Sequence, residues 1–401
     1  MIEVSQALRI IAENTVDFGT ESIALSDGMH RILREDWILD RDLPPYNRVT
    51  MDGIAIQYQA FKEGQRSFPV EGIAPAGTPQ MHLQENGSCL EVMTGAILPQ
   101  NADTVIRYED VEIKDGQARI IDEAIVEYQQ SIHFQGIDRK AQDVIVPAYT
   151  QIASPEVGIG ASIGMAQVQV AKLPKIMVIS TGDELVDIHT KPLAHQIRRS
   201  NVYRLRTTLQ NYRIQADEAH LPDDKEELTL RLKDYLENYD VLILSGGVSK
   251  GKFDYLPEVL TNLGVEKLFH KIRQRPGKPF WFGKFQDQCT TFALPGNPVS
   301  SFVCLQRYFT HWLNLSLGKK ETPRPMALLT KEVQFKPDLT YFLEVSLSYN
   351  EQGQILAEPK KGNGSGDFAN LVTADAFIEL PRGKNVYEAG EVHPIFYYRP
   401  L

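Results

Sequence analysis

The chain has 401 residues, of which 42% are hydrophobic and 23% charged, with a formal net charge of −10. That length exceeds what one hydrophobic core usually supports and predicts two to four domains. The acidic balance excludes general nucleic-acid binding, no stretch approaches the ~18 apolar residues of a membrane span, and MIEVSQALRIIAENT lacks the basic head and apolar run of a signal peptide.

In chain order, the first expected element is a helix capped by Ser5, with Leu8, Ile11 and Ala12 on one face. From about Ile23 to Val170 short β-branched runs (GIAIQY, SCLEVM, DTVIRY, ARIID) alternate with turns at APAGTP, LPQNAD and IKDGQA, which reads as β-rich. From Lys175 the pattern becomes α/β. KIMVIS is a fully apolar strand leading into TGDEL, followed by a helix with Val202, Leu205 and Leu209 inward behind a Ser200 or Asn201 cap. A second helix places Leu228, Leu232, Tyr235 and Leu236 on one stripe, and Asp224 and Glu227 have the spacing of a capping box. VLILSGG and TTFALPGNP are further strands, and VSSFVCLQRYFTHWLNL is a long helix with Phe302, Leu305, Phe309 and Trp312 inward. Apolar strands alternating with amphipathic helices predict a parallel sheet covered on both faces. After Gly318, ALLTKEVQFK, YFLEVSLSY and AFIELP predict a small β domain. Three widely spaced cysteines, Cys89, Cys289 and Cys304, point to neither a disulfide framework nor a zinc site. The expected compartment is the cytoplasm.

Three strands of the α/β region end in glycine turns: STGDEL, SGGVSKG and LPGNPVS. In a doubly wound sheet such turns lie at the carboxyl ends of the strands, where ligands bind beside the topological switch point. Their amides and the following helix N-termini suit a phosphate, and Ser180, Thr181, Ser245, Ser249 and Ser300 offer hydroxyls. The middle turn resembles a nucleotide-hydrolase P-loop, with four residues between Gly246 and Gly251-Lys252. Such a loop needs a hydroxyl after its lysine to hold magnesium, and Phe253 supplies none. The reading is a phosphate or pterin cradle of another type.

Carboxylates gather at the same ends: Asp183 and Glu184 after the first strand, Asp223 and Asp224 after a middle one, and Asp254 after GGVSKGKF. Hard oxygen ligands beside phosphate-binding amides suit magnesium. Each alone also reads as a helix cap or solvated charge, and Asp254 is placed to cap the next helix. Arg275 and Lys278 of RQRPGKPFWFG, stiffened by Pro276 and Pro279, are expected to face the same crevice. A second basic run, Arg198, Arg199, Arg204 and Arg206, reads either as a solvated face or as part of a basic pocket.

TMDGIA, VMTGAILPQNADTV, STGDELV, SGGVSKGKFDY, RPGKPFWFG and LPGNPVSSF, in that order over nearly the whole chain, resemble the molybdopterin molybdenumtransferases, the MoeA and gephyrin E-domain family. The resemblance implies a multidomain α/β plus β architecture. An elongated discontinuous domain I (1–45 and 140–172) and a β-rich domain II (46–139) precede a doubly wound, MogA-like α/β domain III (173–317) and a C-terminal β-barrel domain IV (318–401). It implies that adenylylated molybdopterin and molybdate, with Mg2+, yield molybdenum cofactor and AMP. The metal and catalytic carboxylates are then Asp52, Glu184 and Asp254, with Asp143 and Asp224 behind them, and Lys278 and Arg275 stabilise charge. Pterin phosphate and adenylate lie near Thr181, Gly182, Asp183, Ser245, Gly246, Gly247, Ser249, Gly296, Asn297 and Ser300, while Pro295 and Pro298 shape the oxyanion pocket. The family also implies a homodimer, in which the partner's second domain brings Asp52 and Thr94, and a molybdopterin adenylyltransferase as upstream partner.

The chain departs from the family pattern at charged positions. Arg48, Val49 and Thr50 precede Met-Asp-Gly, Asp138 and Gln142 stand where relatives carry Arg and Glu, Arg199 replaces an acidic residue, and Lys250 and Lys252 enter the glycine-rich loop. Charge reversals in a polyanion site raise an alternative, a molybdopterin-binding or scaffold protein without turnover. Nucleotide hydrolysis through GGVSKGK is a third reading.

Overall fold

KIMVIS forms β1 (Ile176–Thr181), which with β2 (Asp217–Leu221), β3 (Val241–Ser245), β4 (Glu266–His270), β5 (Trp281–Phe285) and β6 (Cys289–Leu294) makes one sheet in the order β2-β1-β3-β6-β5-β4. The computed structural model describes residues 1–248 and 254–399. Strands β2, β1, β3 and β6 are parallel, whereas β5 runs antiparallel to both β6 and β4. The sheet is therefore mixed, not wholly parallel as expected. The polar run DEAHL gave no strand signal because β2, at the sheet edge, buries only Leu221.

Alternation along the strands divides the core. Ile176, Val178, Ile243 and Phe292 point to one face, against Val202, Leu205 and Leu209. Met177, Ile179, Leu242 and Leu244 point to the other, against Leu228, Leu232, Leu236 and Leu256. Each predicted helical face is buried in this way, with Tyr235 at its margin. Helices cover both sides of the sheet, as its continuous apolar strands require.

Helix starts differ from expectation. The first helix, Val4–Glu13, begins after Glu3, so Ser5 lies inside it, and its buried residues are Val4, Ala7 and Ile11. The helix Ser200–Gln210 begins after Arg199 with no side-chain cap, which leaves Asn201 for another role. Asp224 does cap Lys225–Asn238, accepting from the amides of Glu226 and Glu227. The long C-terminal helix runs through a π-helical turn, Leu305–Phe309, between Pro298–Cys304 and Thr310–Ser316. The β-rich stretch also holds an unexpected helix, Ser154–Ser162. Its burial is slight and its sequence Gly-rich, so no apolar periodicity marked it.

Beyond the α/β layer, β7 (Met326–Leu329), β8 (Thr340–Tyr349), β9 (Ile355–Pro359), β10 (Ala376–Leu380) and β11 (Val392–Tyr397) close into a barrel. The circuit is β8-β9-β7-β11-β10 and back to β8. Closure removes the free edges that so small a sheet would otherwise expose.

The chain divides into two compact units: Met1–Glu35, Ala148–Gly158 and Ala166–Leu401 form one, and Asp36–Pro147 with Ile159–Met165 the other. The second unit holds a six-stranded sheet in which Gly53–Ile56 lies between Cys89–Val92 and the edge strand Thr104–Arg107. Gly53 of the MDG turn is obligatory there. A Cβ would fall 1.9 Å from the carbonyl oxygen of Ile106, a backbone atom that cannot move aside. Among the described residues, no helix is long and apolar enough to cross a membrane.

Candidate functional site

Parallel register sets the site. Ser180 pairs with Ser245, and Ser245 with Leu294, so the three glycine turns leave the sheet at one level. The chain passes from β1 outward to β2 and then back across β1 to β3, which puts the switch point between β1 and β3. The crevice opens there, as the doubly wound fold requires. It is a cleft of ≈440 Å³ with Thr181, Gly182, Gly246, Gly247, Pro295 and Gly296 among its lining.

Backbone crowding explains the glycines. At Gly246, φ is +112°, and a Cβ would lie 2.8 Å from both the carbonyl oxygen and Oγ1 of Thr181. Only glycine fits so close an approach at a positive φ. Thr181 Oγ1, packed on this glycine, is buried and has no hydrogen-bond partner among the described residues. Such a hydroxyl costs about 1–3 kcal/mol until something satisfies it. Ser180 is held differently, with Oγ 3.0 Å from Nδ1 of His220. Burial and the nearby Arg199 push the His220 pKa down, which favours its neutral ring at this contact.

Two residues that the sequence did not single out as ligand-site supports tie the turns together. Asn201 Nδ2 donates to Ser245 Oγ at 2.9 Å and to the Gly296 carbonyl at 2.7 Å. Arg204 Nη2 donates to Asn201 Oδ1, the Pro298 carbonyl and Ser301 Oγ at 3.1, 2.6 and 2.9 Å. Its guanidinium also lies over the Phe302 ring, and burial pulls its pKa down to about 10. Arg204 is thus a strut, not a member of a solvated basic face. Its spacing from Asn201 and Thr208, beside the buried Val202–Leu205–Leu209 stripe, was the available signal.

Glu184, Asp223 and Asp254 border the cleft. Asp183 Oδ1 accepts from the Asp223 amide at 3.2 Å. Burial, followed by the charges of Asp183, Glu184 and Asp254, raises the Asp223 carboxyl above the ordinary range. The next helix, Leu256–Asn262, has Tyr255 at its N-cap position, so Asp254 lies one residue before it. Asp224, by contrast, is occupied as a cap, with Oδ1 3.0 and 2.8 Å from two helix amides. Among the described residues, no group of three or more His, Cys, Asp or Glu stands in ligating geometry.

Other expected site residues are spread more widely. Pro295, Asn297 and Pro298 line the cleft, and the Asn297 amide donates to Ser365 Oγ at 2.9 Å. Ser300 is buried within its helix, and Ser301 supplies the hydroxyl to the Arg204 network instead. Arg275 and Lys278 do not share the expected crevice. Arg275 lines a second hollow of ≈330 Å³ with Lys336, Lys361 and Glu344, and burial pushes the Glu344 carboxyl up to about 7. Lys278 is exposed and the next residue, Pro279, reaches the first cleft. Ser249, Lys250, Lys252 and Phe253 lie outside the described residues.

In the second unit, Asp52 Oδ1 accepts from the Thr94 amide at 2.7 Å, a bond that lowers its pKa. Asp143 closes a local turn by accepting from the Lys140 amide. Arg48 and Asp138 share one histidine. Arg48 Nη2 lies 3.1 Å from His133 Nδ1, and His133 Nε2 lies 3.1 Å from Asp138 Oδ1. In the first unit, Arg199 forms an ion pair with Asp187 at 2.5 Å.

Asn201→Ala should cost about 1–3 kcal/mol, as expected for a lost polar contact, and release the two turns from each other. Hydrogen exchange of peptides covering 245–248 and 295–297 is expected to accelerate about tenfold, a factor worth about 1.4 kcal/mol; unchanged exchange would refute the strut. Asp223→Asn is expected to raise the thermal midpoint at pH 7. A raised carboxyl contributes stability below the ordinary carboxylate range and loses it as pH rises through its elevated pKa. The gain should therefore vanish near about pH 4, and a variant less stable than the wild type at pH 7 would contradict the repulsion.

Comparison with known proteins agrees with this geometry. Residues 2–164 match the MoeA N-terminal region (domain I and II), 177–314 the probable molybdopterin binding domain, and 326–395 the MoeA C-terminal region (domain IV). A molybdopterin molybdenumtransferase from Synechocystis is 43% identical over 398 residues, covering 99% of this chain and 100% of its own. One from Bacillus subtilis is 29% identical over 415 residues, covering 99% and 94%. The crystal structure of the molybdopterin biosynthesis MoeA protein from Pyrococcus horikoshii superimposes with a TM-score of 0.83 at 27% identity, covering 100% of both chains. Three matched regions in order and full-length likeness to curated enzymes leave one assignment: the chain belongs to the molybdopterin molybdenumtransferase (MoeA) family of transferases, which acts in molybdenum cofactor biosynthesis.

Proposed function

We propose that this protein inserts molybdate into adenylylated molybdopterin and releases AMP in a magnesium-dependent reaction. The observation that carries the reading is the meeting of glycine turns with Glu184, Asp223 and Asp254 around one cleft. The amides of the turns suit a pterin phosphate, and the unpartnered Thr181 hydroxyl offers it a further donor.

The donor set fits magnesium. Its groups are hard carboxylate oxygens, and the Asp223 carboxyl, raised first by burial and then by neighbouring like charges, is one whose repulsion a cation would relieve. Magnesium takes one or two carboxylates and leaves other positions to water and substrate phosphate, so a three-carboxylate cage is not required. In this proposal Glu184 and Asp254 hold the ion, which when bound would polarise the phosphoanhydride and shield the charge of departing AMP. Asn201 and Arg204 keep the two later turns in position for the phosphate. Pro295 and Pro298 bound the oxyanion pocket, and Lys278 supplies positive charge from its rim. Arg275, at the second hollow, would act from farther away. Asp224 and Asp143, each engaged in a local turn or cap, have supporting roles at most.

The proposal also makes the protein a homodimer, with Asp52 and Thr94 serving the site through the second subunit, four domains at the bounds expected from the sequence, and a molybdopterin adenylyltransferase supplying the substrate. The internal partners of Arg48 and Arg199 favour turnover over a silent scaffold, because each arginine is already engaged within its own unit.

With purified protein, adenylylated molybdopterin and Mg2+, AMP release should be stimulated by molybdate and stopped by chelation. Glu184→Gln and Asp254→Asn are each expected to slow it by about 10²–10³-fold, the usual loss for a charge-stabilising group. Asp224→Ala should cost about 1 kcal/mol of stability as a lost cap and leave the rate within a few fold. No AMP from intact substrate would discard the proposal. Sedimentation velocity is expected to give twice the 45.3 kDa chain mass, and a monomer at assay concentration would remove Asp52 and Thr94 from the site.

A further inference from the structure

A third hollow, of ≈580 Å³, shares no lining residue with the first cleft. Arg9 enters it from the first helix, Arg307 and His311 from the long helix, and Lys319, Lys320 and Arg324 from the segment that follows. The π-helical turn Leu305–Phe309 carries Arg307 at this position while Leu305, Phe309 and Trp312 remain in the core. Such insertions often accompany functional sites because they re-aim side chains without ending the helix.

The charges here are unbalanced. Arg307, only 7% exposed, donates through Nε to Glu379 Oε2 at 2.9 Å. Arg324 Nη1 approaches the same oxygen at 2.5 Å. Two guanidiniums therefore share one carboxylate, and one of them is withdrawn from water, where incomplete pairing is costly. Around them, Arg9, Lys319 and Lys320 add positive charge and Glu321 subtracts one, its Oε1 lying 3.7 Å from His311 Nδ1. The fixed charges Arg9, Arg307, Arg324, Lys319 and Lys320 outnumber Glu321 and Glu379 by five to two. On a chain of net charge −10, such a basic hollow focuses anions.

We propose that this hollow binds a phosphorylated small molecule, with the dianionic phosphate between Arg307, Arg324 and the Lys319–Lys320 pair. Its volume exceeds a bare oxyanion and falls in the range of small-molecule pockets, about 300–1,000 Å³. His311 adds a diagnostic. Burial and the positive charges of Arg307 and Arg324 lower its pKa, against Glu321. A bound dianion opposes that shift, so binding takes up a proton and strengthens as pH falls. The groups facing His311 are Arg307 from its own helix, Glu321 and Arg324 from the following segment, and Arg9, Lys319 and Lys320 around the hollow.

The test is calorimetric titration of the full-length protein with ribose 5-phosphate, inorganic phosphate and sulfate. Ribose 5-phosphate is expected to bind, and the Lys319→Glu/Lys320→Glu variant, which leaves the buried Arg307 intact, to weaken it at least about tenfold. Magnesium-dependent AMP release by that variant should match the wild type. Sulfate, whose charge is constant from about pH 5 to 8, should bind more tightly at the acid end in the wild type. His311→Asn should remove that pH dependence while keeping the binding. Equal affinity in the wild type and the charge-reversed variant would overturn the site. So would binding of inorganic phosphate and sulfate without ribose 5-phosphate, because the occupant would then be a bare oxyanion.

Discussion

Strand register is the constraint on which the cleft depends. Because β1, β3 and β6 are parallel neighbours, Ser180, Ser245 and Leu294 stand side by side, and three turns distant in sequence end at one edge. Register alone does not fix the distance between those turns, since each is a loop of glycine and proline with several available paths. Asn201 removes that freedom by bonding to Ser245 and Gly296 at once. Arg204 in turn fixes Asn201 and the start of the next helix. A buried arginine is costly unless its donors are satisfied. Here that cost supports a rigid cradle instead of a salt bridge.

Rigidity matters because the neighbouring carboxylates repel one another. Burial, and after it Asp183, Glu184 and Asp254, raise the Asp223 carboxyl, so the fold holds an arrangement that isolated side chains would relax. Sites that assemble like charges in this way are poised for a cation or for proton transfer. The carboxylates come from three loops, after β1, β2 and β3, and the sheet that aligns the glycine turns also aligns them. Phosphate-binding amides and metal-binding oxygens thus share one structural cause.

Much of this was legible in the sequence. Fully apolar strands, their glycine turns and the helical stripes at Val202–Leu205–Leu209 and Leu228–Leu232–Leu236 are local patterns, and each maps onto the expected element. Antiparallel β5 escaped notice because WFGKF is as apolar as a parallel strand, and direction leaves no mark on hydrophobicity. The barrel strands Ile355–Pro359 and Val392–Tyr397 were missed for a related reason. Ile355–Pro359 buries a single residue, and the alternation of Val392–Tyr397 runs through His393 and Pro394, so neither shows an apolar run; barrel closure makes them strands. Within the site, the residues nearest the turns were readable from motif and spacing. Asn201 was misassigned as a cap because a Ser-Asn pair at a helix start has that local meaning, whereas its partners lie 44 and 95 residues away. Arg275 was placed with Lys278 by sequence proximity, yet the two side chains serve different surroundings.

Charge substitutions show most clearly why residues cannot be judged singly. An arginine in place of an acidic or small polar residue looks disruptive in a site for polyanions or metal. Arg199 is nevertheless neutralised by Asp187, which lies in the turn following Glu184. Arg48 and Asp138 look like two independent departures, yet they face the two nitrogens of one imidazole, His133. The antiparallel pairing of His133 with Arg48 places these groups as cross-strand neighbours, a geometry in which opposite charges stabilise and like charges do not. Arg48 and Asp138 carry opposite charges on the two sides of that ring, so together they add no net charge there. Among the described departures, Arg199, Arg48 and Asp138 each have an internal partner, so none of the three stands as an isolated charge.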